Sequence, residues 1–159
     1  MPAAVTSLRG RALRLLSTRE HSRAELERKL EPHAPEPGQL APVLDDLQAR
    51  GFICEERVAE SVVNRRAAKF GATRIRQEMQ AKGLARDVVD AALAGLQQSE
   101  LARAKQVWDK KFGGARASEE GARWARQARF LASRGFGPDT IRRVLSGTGA
   151  DENDPSGEQ

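Results

Sequence analysis

A chain of 159 residues is long enough for one domain or a short array of small units. With 4% aromatic residues and no tyrosine, it must build its core from aliphatic side chains. One cysteine excludes an intrachain disulfide and a thiolate cluster, so we expect a reducing, cytoplasmic location. The net charge is +5, and it rises to +9 without the last ten residues, which hold four acids and no base. This balance favours a polyanionic partner, nucleic acid or an acidic protein face, over an ordinary solvated surface.

The predicted elements are all helices. The first spans about 5–17, and the second begins at Ser22, whose hydroxyl and the Glu25 carboxylate are expected to form a reciprocal capping box. The second helix ends before Pro32, which begins a proline-rich loop. No segment alternates apolar and polar residues, so no strand is predicted. The remaining helices are predicted over about 39–50, 55–69, 72–82, 86–97, 99–112, 118–134 and 138–146.

Three pairs of a glycine and an apolar residue predict helix ends. They are Gly51–Phe52, Gly83–Leu84 and Gly135–Phe136. In each pair the glycine takes a left-handed conformation after the helix, and the apolar residue packs back on it. Ser118 is the predicted N-cap of the eighth helix. The acidic tail over 147–159 is expected to be disordered.

Apolar positions recur along the chain, which indicates a repeated helical unit. An offset of 49 relates the first two copies, pairing Leu26 with Ile75 and Leu30 with Met79. A further offset of 66 leads from Ile75 to Ile141. The predicted fold is therefore an elongated all-α array of three-helix repeats. Its segments are a lead (1–7), repeat 1 (8–51), repeat 2 (52–97), an extra helix and loop (98–117), repeat 3 (118–146) and the tail (147–159).

No residues with the spacing of a catalytic, cofactor-binding or metal site are found. The chain lacks a phosphate-binding loop, a dinucleotide-binding glycine motif, a zinc-protease motif and paired cysteines. His21 and Cys54 are predicted to pack in or near the core. No apolar run approaches the roughly 20 residues of a membrane span, and the N-terminus has no apolar signal core. We therefore predict a protein that binds and does not catalyse.

Basic side chains are the remaining functional candidates. Two helix pairs concentrate them, and arginine can bridge phosphates or grip carboxylates. Trp108 and Trp124 are predicted to lie in the core, with stacking on nucleic-acid bases as the alternative. The predicted binding surface comprises Arg65, Arg66, Lys69, Arg74, Arg76, Arg123, Arg126, Arg129, Arg142 and Arg143.

Three motifs resemble the signatures of the RecX regulatory proteins. They are REHSRAELERKL at 19–30, FGATRIRQEMQAKG at 70–83 and FLASRGFGPDTIRRVL at 130–145. The resemblance covers about residues 8–146. The chain departs from the family pattern at Cys54, where an acid is usual, and at Val58, where phenylalanine is usual.

The resemblance implies a regulator of the RecA recombinase in DNA repair, recombination and the SOS response. Such proteins lie in the groove of the RecA–single-stranded-DNA filament and inhibit ATP hydrolysis, strand exchange and co-protease activity. They do so by blocking filament growth or favouring disassembly. The implied partners are the RecA filament and single-stranded DNA, directly or through the filament. We expect the protein to be a monomer. A stand-alone helical nucleic-acid-binding protein is the alternative.

Overall fold

The computed structural model describes residues 6–113 and 121–147, and over these residues the protein forms helices and no strand, as predicted. Each described helix begins and ends within three residues of its predicted bounds. The predicted cap at Ser118 and the tail beyond 147 lie outside the described residues. Nine α-helices are described: α1 (Leu8–Thr18), α2 (Arg23–Leu30), α3 (Leu40–Ala49), α4 (Glu55–Arg66), α5 (Ala72–Ala81), α6 (Arg86–Ala94), α7 (Glu100–Phe112), α8 (Gly121–Ser133) and α9 (Pro138–Gly147).

The three predicted glycine turns are confirmed. Gly51, Gly83 and Gly135 have φ values of 79°, 74° and 89°. In each turn the residue after the glycine donates its amide to a carbonyl five residues back, as Phe136 does to Leu131 at 3.2 Å. The side-chain prediction is wrong for Phe52, which is 46% exposed, because the next residue, Ile53, takes the buried position.

The chain divides into two compact units. Unit 1 contains residues 6–62 and 78–92, and unit 2 contains residues 63–77 and 93–147. The core of unit 1 comprises Ala12, Leu26, Leu30, Leu40, Leu44, Leu47 and Ile53. The core of unit 2 comprises Ala104, Trp108, Leu131, Phe136, Ile141, Val144 and Leu145.

The two tryptophans differ in burial. Trp108 is buried as predicted, but Trp124 is 43% exposed, so its predicted place in the core is wrong. On α8 the buried residue one turn later is Gln127, whose Oε1 accepts a hydrogen bond of 3.0 Å from Trp108 Nε1. A buried indole N–H requires an acceptor, and the core of unit 2 supplies it with glutamine.

The repeat of 49 residues coincides with equal burial. Leu26 and Ile75 are both fully buried, as are Leu30 and Met79 to within 2%. A second offset, of 52 residues, aligns Gly135 with Gly83 in sequence. The same offset aligns the ends of α8 with those of α5 and the ends of α9 with those of α6 to within a few residues, apart from the start of α8. This register assigns α9 to α6, whereas the predicted offset of 66 assigned it to α5. The predicted boundary between 117 and 118 lies outside the described residues.

In unit 1, the N-terminus of α2 packs on the C-terminal turn of α5; we call this contact the first junction. The Ser22 hydroxyl accepts a hydrogen bond from the Glu25 amide, as predicted, and donates one of 2.5 Å to the Lys82 carbonyl. The Glu25 carboxylate does not complete the capping box. It lies 2.6 Å from Lys82 Nζ and 2.8 Å from Arg19 Nη2, since charged donors bind a buried carboxylate more strongly than an amide does.

In unit 2, the N-terminus of α5 packs on the turn after α8; we call this contact the second junction. The Gly71 and Thr73 amides donate to the carbonyls of Arg134 and Gly135, at 2.8 and 3.2 Å. The two backbones approach so closely that a Cβ on Gly71 would lie 2.4 Å from the Gly135 oxygen. Only glycine fits at this position.

We expect Gly71→Ala to destabilise the protein by about 1–3 kcal/mol, because its methyl group would force the second junction apart. Urea unfolding followed by circular dichroism measures the change. Gly137→Ala is the control, since Gly137 has open space at its Cβ position and no positive φ. It should change stability by less than about 0.5 kcal/mol. Equal effects of the two substitutions would contradict the close approach.

We also expect Glu25→Gln to destabilise the protein, by roughly 2–3 kcal/mol near pH 7. Burial opposes ionisation of Glu25, but the bonds from Lys82 and Arg19 outweigh it and lower the pKa of its carboxyl. The stabilisation is therefore complete above the ordinary glutamate pKa and is lost as pH falls through the lowered value.

Urea unfolding of both proteins from pH 7 to pH 3 should show their difference shrinking at the acid end. Glu27→Gln on the same helix is the control. Its carboxylate pairs with Arg23 at the surface and should contribute less than about 0.5 kcal/mol at any pH. A difference between Glu25→Gln and the original protein that is independent of pH would show that the Glu25 charge is not involved.

Candidate functional site

All ten residues of the predicted binding surface lie in unit 2. Arg66 and Arg76 are half-buried, and the other eight are exposed. Their positions divide them between the segment 63–77 and the helices α8 and α9. On α9, Arg142 pairs with Asp139 at 3.5 Å. The predicted cations are therefore on the surface of one unit, but only some of them converge.

Phe70 is the centre of the convergence. Its ring lies 4.6 Å from the guanidinium carbon of Arg74 and 5.6 Å from those of Arg66 and Arg134. We call these four residues the Phe70 cluster. Each guanidinium is attracted to the electron-rich ring, so the ring holds three like charges around one side chain. Arg74 also donates a hydrogen bond of 3.0 Å to the Ser133 carbonyl in the second junction.

Arg103 holds the Phe70 cluster from the inside of unit 2. It is 9% exposed and donates to the carbonyls of Ala67, Phe70 and Leu96 and to the Ser99 hydroxyl. Burial lowers the pKa of this guanidinium, and Glu100 opposes the shift. Its fork of donors binds the last carbonyls beyond α4 and so fixes the backbone that carries Phe70.

A groove of about 530 Å³ lies beside the Phe70 cluster in unit 2. Its cationic side chains are Lys69, Lys110, Lys111 and Arg134, and its apolar ones include Val107 and Phe130. We call it the basic groove. The Phe130 ring lies 5.2 Å from the Arg134 guanidinium carbon and 5.8 Å from Lys111 Nζ. Arg134 therefore belongs to both the groove and the Phe70 cluster.

Three cations of this site were missed in the sequence. Arg134 stands before a glycine turn, and Lys110 and Lys111 occupy the last turn of α7. Basic residues at helix C-termini are usually explained by the helix dipole, which hides any further role. The available signal was the pair of phenylalanines, Phe70 and Phe130, each a few residues from a cluster of bases.

His21 is buried in unit 1, as predicted, and is not part of this site. Its Nδ1 donates to the Arg19 carbonyl at 3.0 Å, and burial lowers its pKa. Cys54 is half-buried, and its thiol lies 3.3 Å from the Glu56 carboxylate.

The arrangement in unit 2 is suited to binding anions. Arginines held against a ring by cation–π attraction retain N–H donors, which match the two oxygens of a carboxylate or phosphate. Within residues 6–113 and 121–147, no group of three or more histidine, cysteine or acidic residues could hold a metal ion. None of the described helices is long and apolar enough to cross a membrane.

Two family models match this chain. Residues 55–93 match the model of the RecX second three-helix domain, and residues 98–145 match that of the RecX third three-helix domain. The third-domain match includes α7, whereas the apolar repeat predicts an extra helix outside the third repeat at this position.

Relatives and solved structures extend the comparison to nearly the whole chain. "Regulatory protein RecX" of Leptothrix cholodnii is 55% identical over 139 residues, which cover 87% of each chain. That of Ralstonia nicotianae is 43% identical and covers 94% of this chain and 93% of its own. The crystal structure of RecX from Lactobacillus salivarius superposes with a TM-score of 0.78 at 19% identity, covering 91% of this chain and 96% of that one. That similarity shows the same fold.

We expect Arg103→Lys to destabilise the protein by about 2–4 kcal/mol, because one ammonium group cannot replace a fork that serves three carbonyls. Thermal and urea unfolding measure the loss. Arg126→Lys, at an exposed position on α8, makes the same substitution and should change stability by less than about 0.5 kcal/mol. An Arg103→Lys protein as stable as the control would show that the fork does not hold the segment.

Proposed function

The chain belongs to the RecX family of regulatory proteins, and from this membership we propose that it regulates the RecA recombinase by binding the RecA–single-stranded-DNA filament. Binding inhibits ATP hydrolysis, strand exchange and co-protease activity, by blocking filament growth or by destabilising the filament. The protein acts as a cytoplasmic monomer and needs no chemistry of its own.

One observation supports this proposal most directly. In unit 2, cations from three parts of the chain meet around Phe70 and Phe130, at the basic groove. A groove lined by both cationic and apolar side chains suits a surface that offers acidic side chains or phosphates beside apolar groups. The filament presents both protein and nucleic-acid anions along its length.

Repetition supports the same function. We propose that α1–α3, α4–α6 and α7–α9 are three successive helix triplets. A chain of repeats can contact successive protomers of a helical polymer, and linked contacts raise the effective concentration at each site. Several weak contacts then give tight binding to the filament and little binding to free RecA.

A second candidate, a nucleic-acid-binding protein independent of RecA, is favoured by Trp124. This ring is 43% exposed on α8, the helix that also carries the exposed Arg123, Arg126 and Arg129. An exposed aromatic side chain among arginines can stack on unpaired bases. Such binding would weaken steeply with salt and would not require RecA.

RecA-dependent ATP hydrolysis on single-stranded DNA distinguishes the two. We expect stoichiometric addition of the protein to inhibit hydrolysis. Lys110→Gln with Lys111→Gln should raise the half-inhibitory concentration about tenfold, since two groove cations are lost. Hydrolysis unchanged by the original protein would refute the proposal, and binding of free DNA would then favour the second candidate.

The matched control is Arg14→Gln with Lys105→Gln. Both residues are exposed and neither lines the groove. The control removes two positive charges, as the test variant does. The control should shift inhibition by about twofold or less, through the net charge alone. Equal shifts in the two double variants would show that the groove has no special part in binding.

A further inference from the structure

We propose that the second junction is a carboxylate-binding site, in which an acidic side chain of a protein partner binds Arg134 and Arg74, as Glu25 binds Lys82 in the first junction. The inference deepens the proposed function by naming the chemistry of the surface that is recognised. It follows from a comparison of two contacts that share one backbone plan and differ in charge.

The backbone plan is the same in the two junctions. In each, the N-terminus of one helix packs on a C-terminal turn whose glycine has a positive φ, Gly83 in the first and Gly135 in the second. In each, the glycine lies close to the first turn of the helix that packs on it. A Cβ on Gly83 would lie 2.8 Å from Ala24, and a Cβ on Gly135 would lie 2.5 Å from Arg74. The junctions are therefore structurally equivalent sites.

The charges at equivalent positions differ. In the first junction Glu25 is the incoming residue and Lys82 precedes the glycine, and the two form a buried ion pair of 2.6 Å. The offset of 49 places Arg74 at the position of Glu25, and the offset of 52 places Arg134 at that of Lys82. An acid–base pair in unit 1 is thus replaced by two bases in unit 2.

The Phe70 ring holds both bases of this pair. It lies 4.6 Å from the Arg74 guanidinium carbon and 5.6 Å from that of Arg134. These are the distances of cation–π contacts, in which a guanidinium keeps N–H groups that can bind the two oxygens of a carboxylate. The Glu100 carboxylate, at the start of α5, accepts from the Ala72 amide and the Thr140 hydroxyl.

The neighbouring groove favours a protein segment over a nucleic-acid backbone. Arg134 continues the site into the basic groove, whose lining includes Ala68, Val107 and Phe130. An apolar side chain next to a carboxylate would contact these residues while the carboxylate binds the arginines. A phosphodiester backbone offers the anion without the aliphatic neighbour.

Binding of short labelled ligands at physiological salt tests the proposal. The probes are a peptide of four Leu-Glu repeats, a peptide of four Gly-Glu repeats and an oligothymidylate of equal charge. We expect the Leu-Glu peptide to bind the full-length protein most tightly. Tighter binding of the oligothymidylate would overturn the proposal in favour of a phosphate site.

The decisive variant is Arg74→Glu, which supplies the missing carboxylate from within the chain. We expect it to weaken binding of the Leu-Glu peptide at least about tenfold, while the melting temperature is maintained because the new carboxylate pairs with Arg134. Lys105→Glu makes the same charge change at an exposed site of unit 2 and should weaken binding about twofold or less. Equal weakening by both variants would refute the site.

A second variant and a second assay complete the test. Arg74→Gln removes one positive charge without adding a negative one, and it should weaken binding of the Leu-Glu peptide about threefold. This variant tests the site if Arg74→Glu does not fold. In the RecA ATPase assay, Arg74→Glu should inhibit less well than Lys105→Glu. Inhibition unaffected by Arg74→Glu refutes the site and leaves the proposed function. Peptide binding that depends on Arg74, without inhibition of RecA, refutes the proposed function and leaves the site.

Discussion

The contact between a helix N-terminus and the turn that ends another helix is the constraint on which the structure depends. The first amides of a helix and the last carbonyls lack partners within their own helices, and burying them unpaired is costly. In the second junction the amides of Gly71 and Thr73 meet the carbonyls of Arg134 and Gly135, and each supplies what the other lacks. The backbones can come this close only where both residues at the contact are glycines.

The partners of the cations differ between the two units. In unit 1 the cations are largely paired: Arg9 with Asp46, Arg23 with Asp45, Arg57 with Glu20 and Lys82 with Glu25. In unit 2 Arg74, Arg134 and Lys111 are held against the rings of Phe70 and Phe130. A ring positions a cation without neutralising it, so the charge of these three residues can act on a partner.

The sequence predicted the helices well, because each end is set by local chemistry. Glycines with positive φ follow α3, α5, α7 and α8, and an aliphatic stripe with a period of 3.6 residues buries one face of a helix. Burial of single side chains was less predictable. Trp124 and Phe52 satisfy the local pattern, yet Gln127 and Ile53 occupy the buried positions, since tertiary packing decides which of two neighbouring residues is covered.

The candidate site was predictable only in part, for a similar reason. Arg66 and Arg74 were identified as cations, but their convergence with Arg134 depends on a contact between segments about 60 residues apart. The partner of Glu25 was likewise hidden, because Lys82 is 57 residues away along the chain. Periodicity within one helix carries no information on which helix end lies beside it.

Helices α4, α5 and α6 each have residues in both compact units. The divisions fall after residues 62, 77 and 92, within those helices, so no single cut of the polypeptide separates unit 1 from unit 2. A gene fragment that encodes either unit alone would have to omit or interrupt part of the middle of the chain. Truncation is therefore a poor way to isolate the cationic half of this molecule, and point substitutions within the intact polypeptide are the appropriate tool.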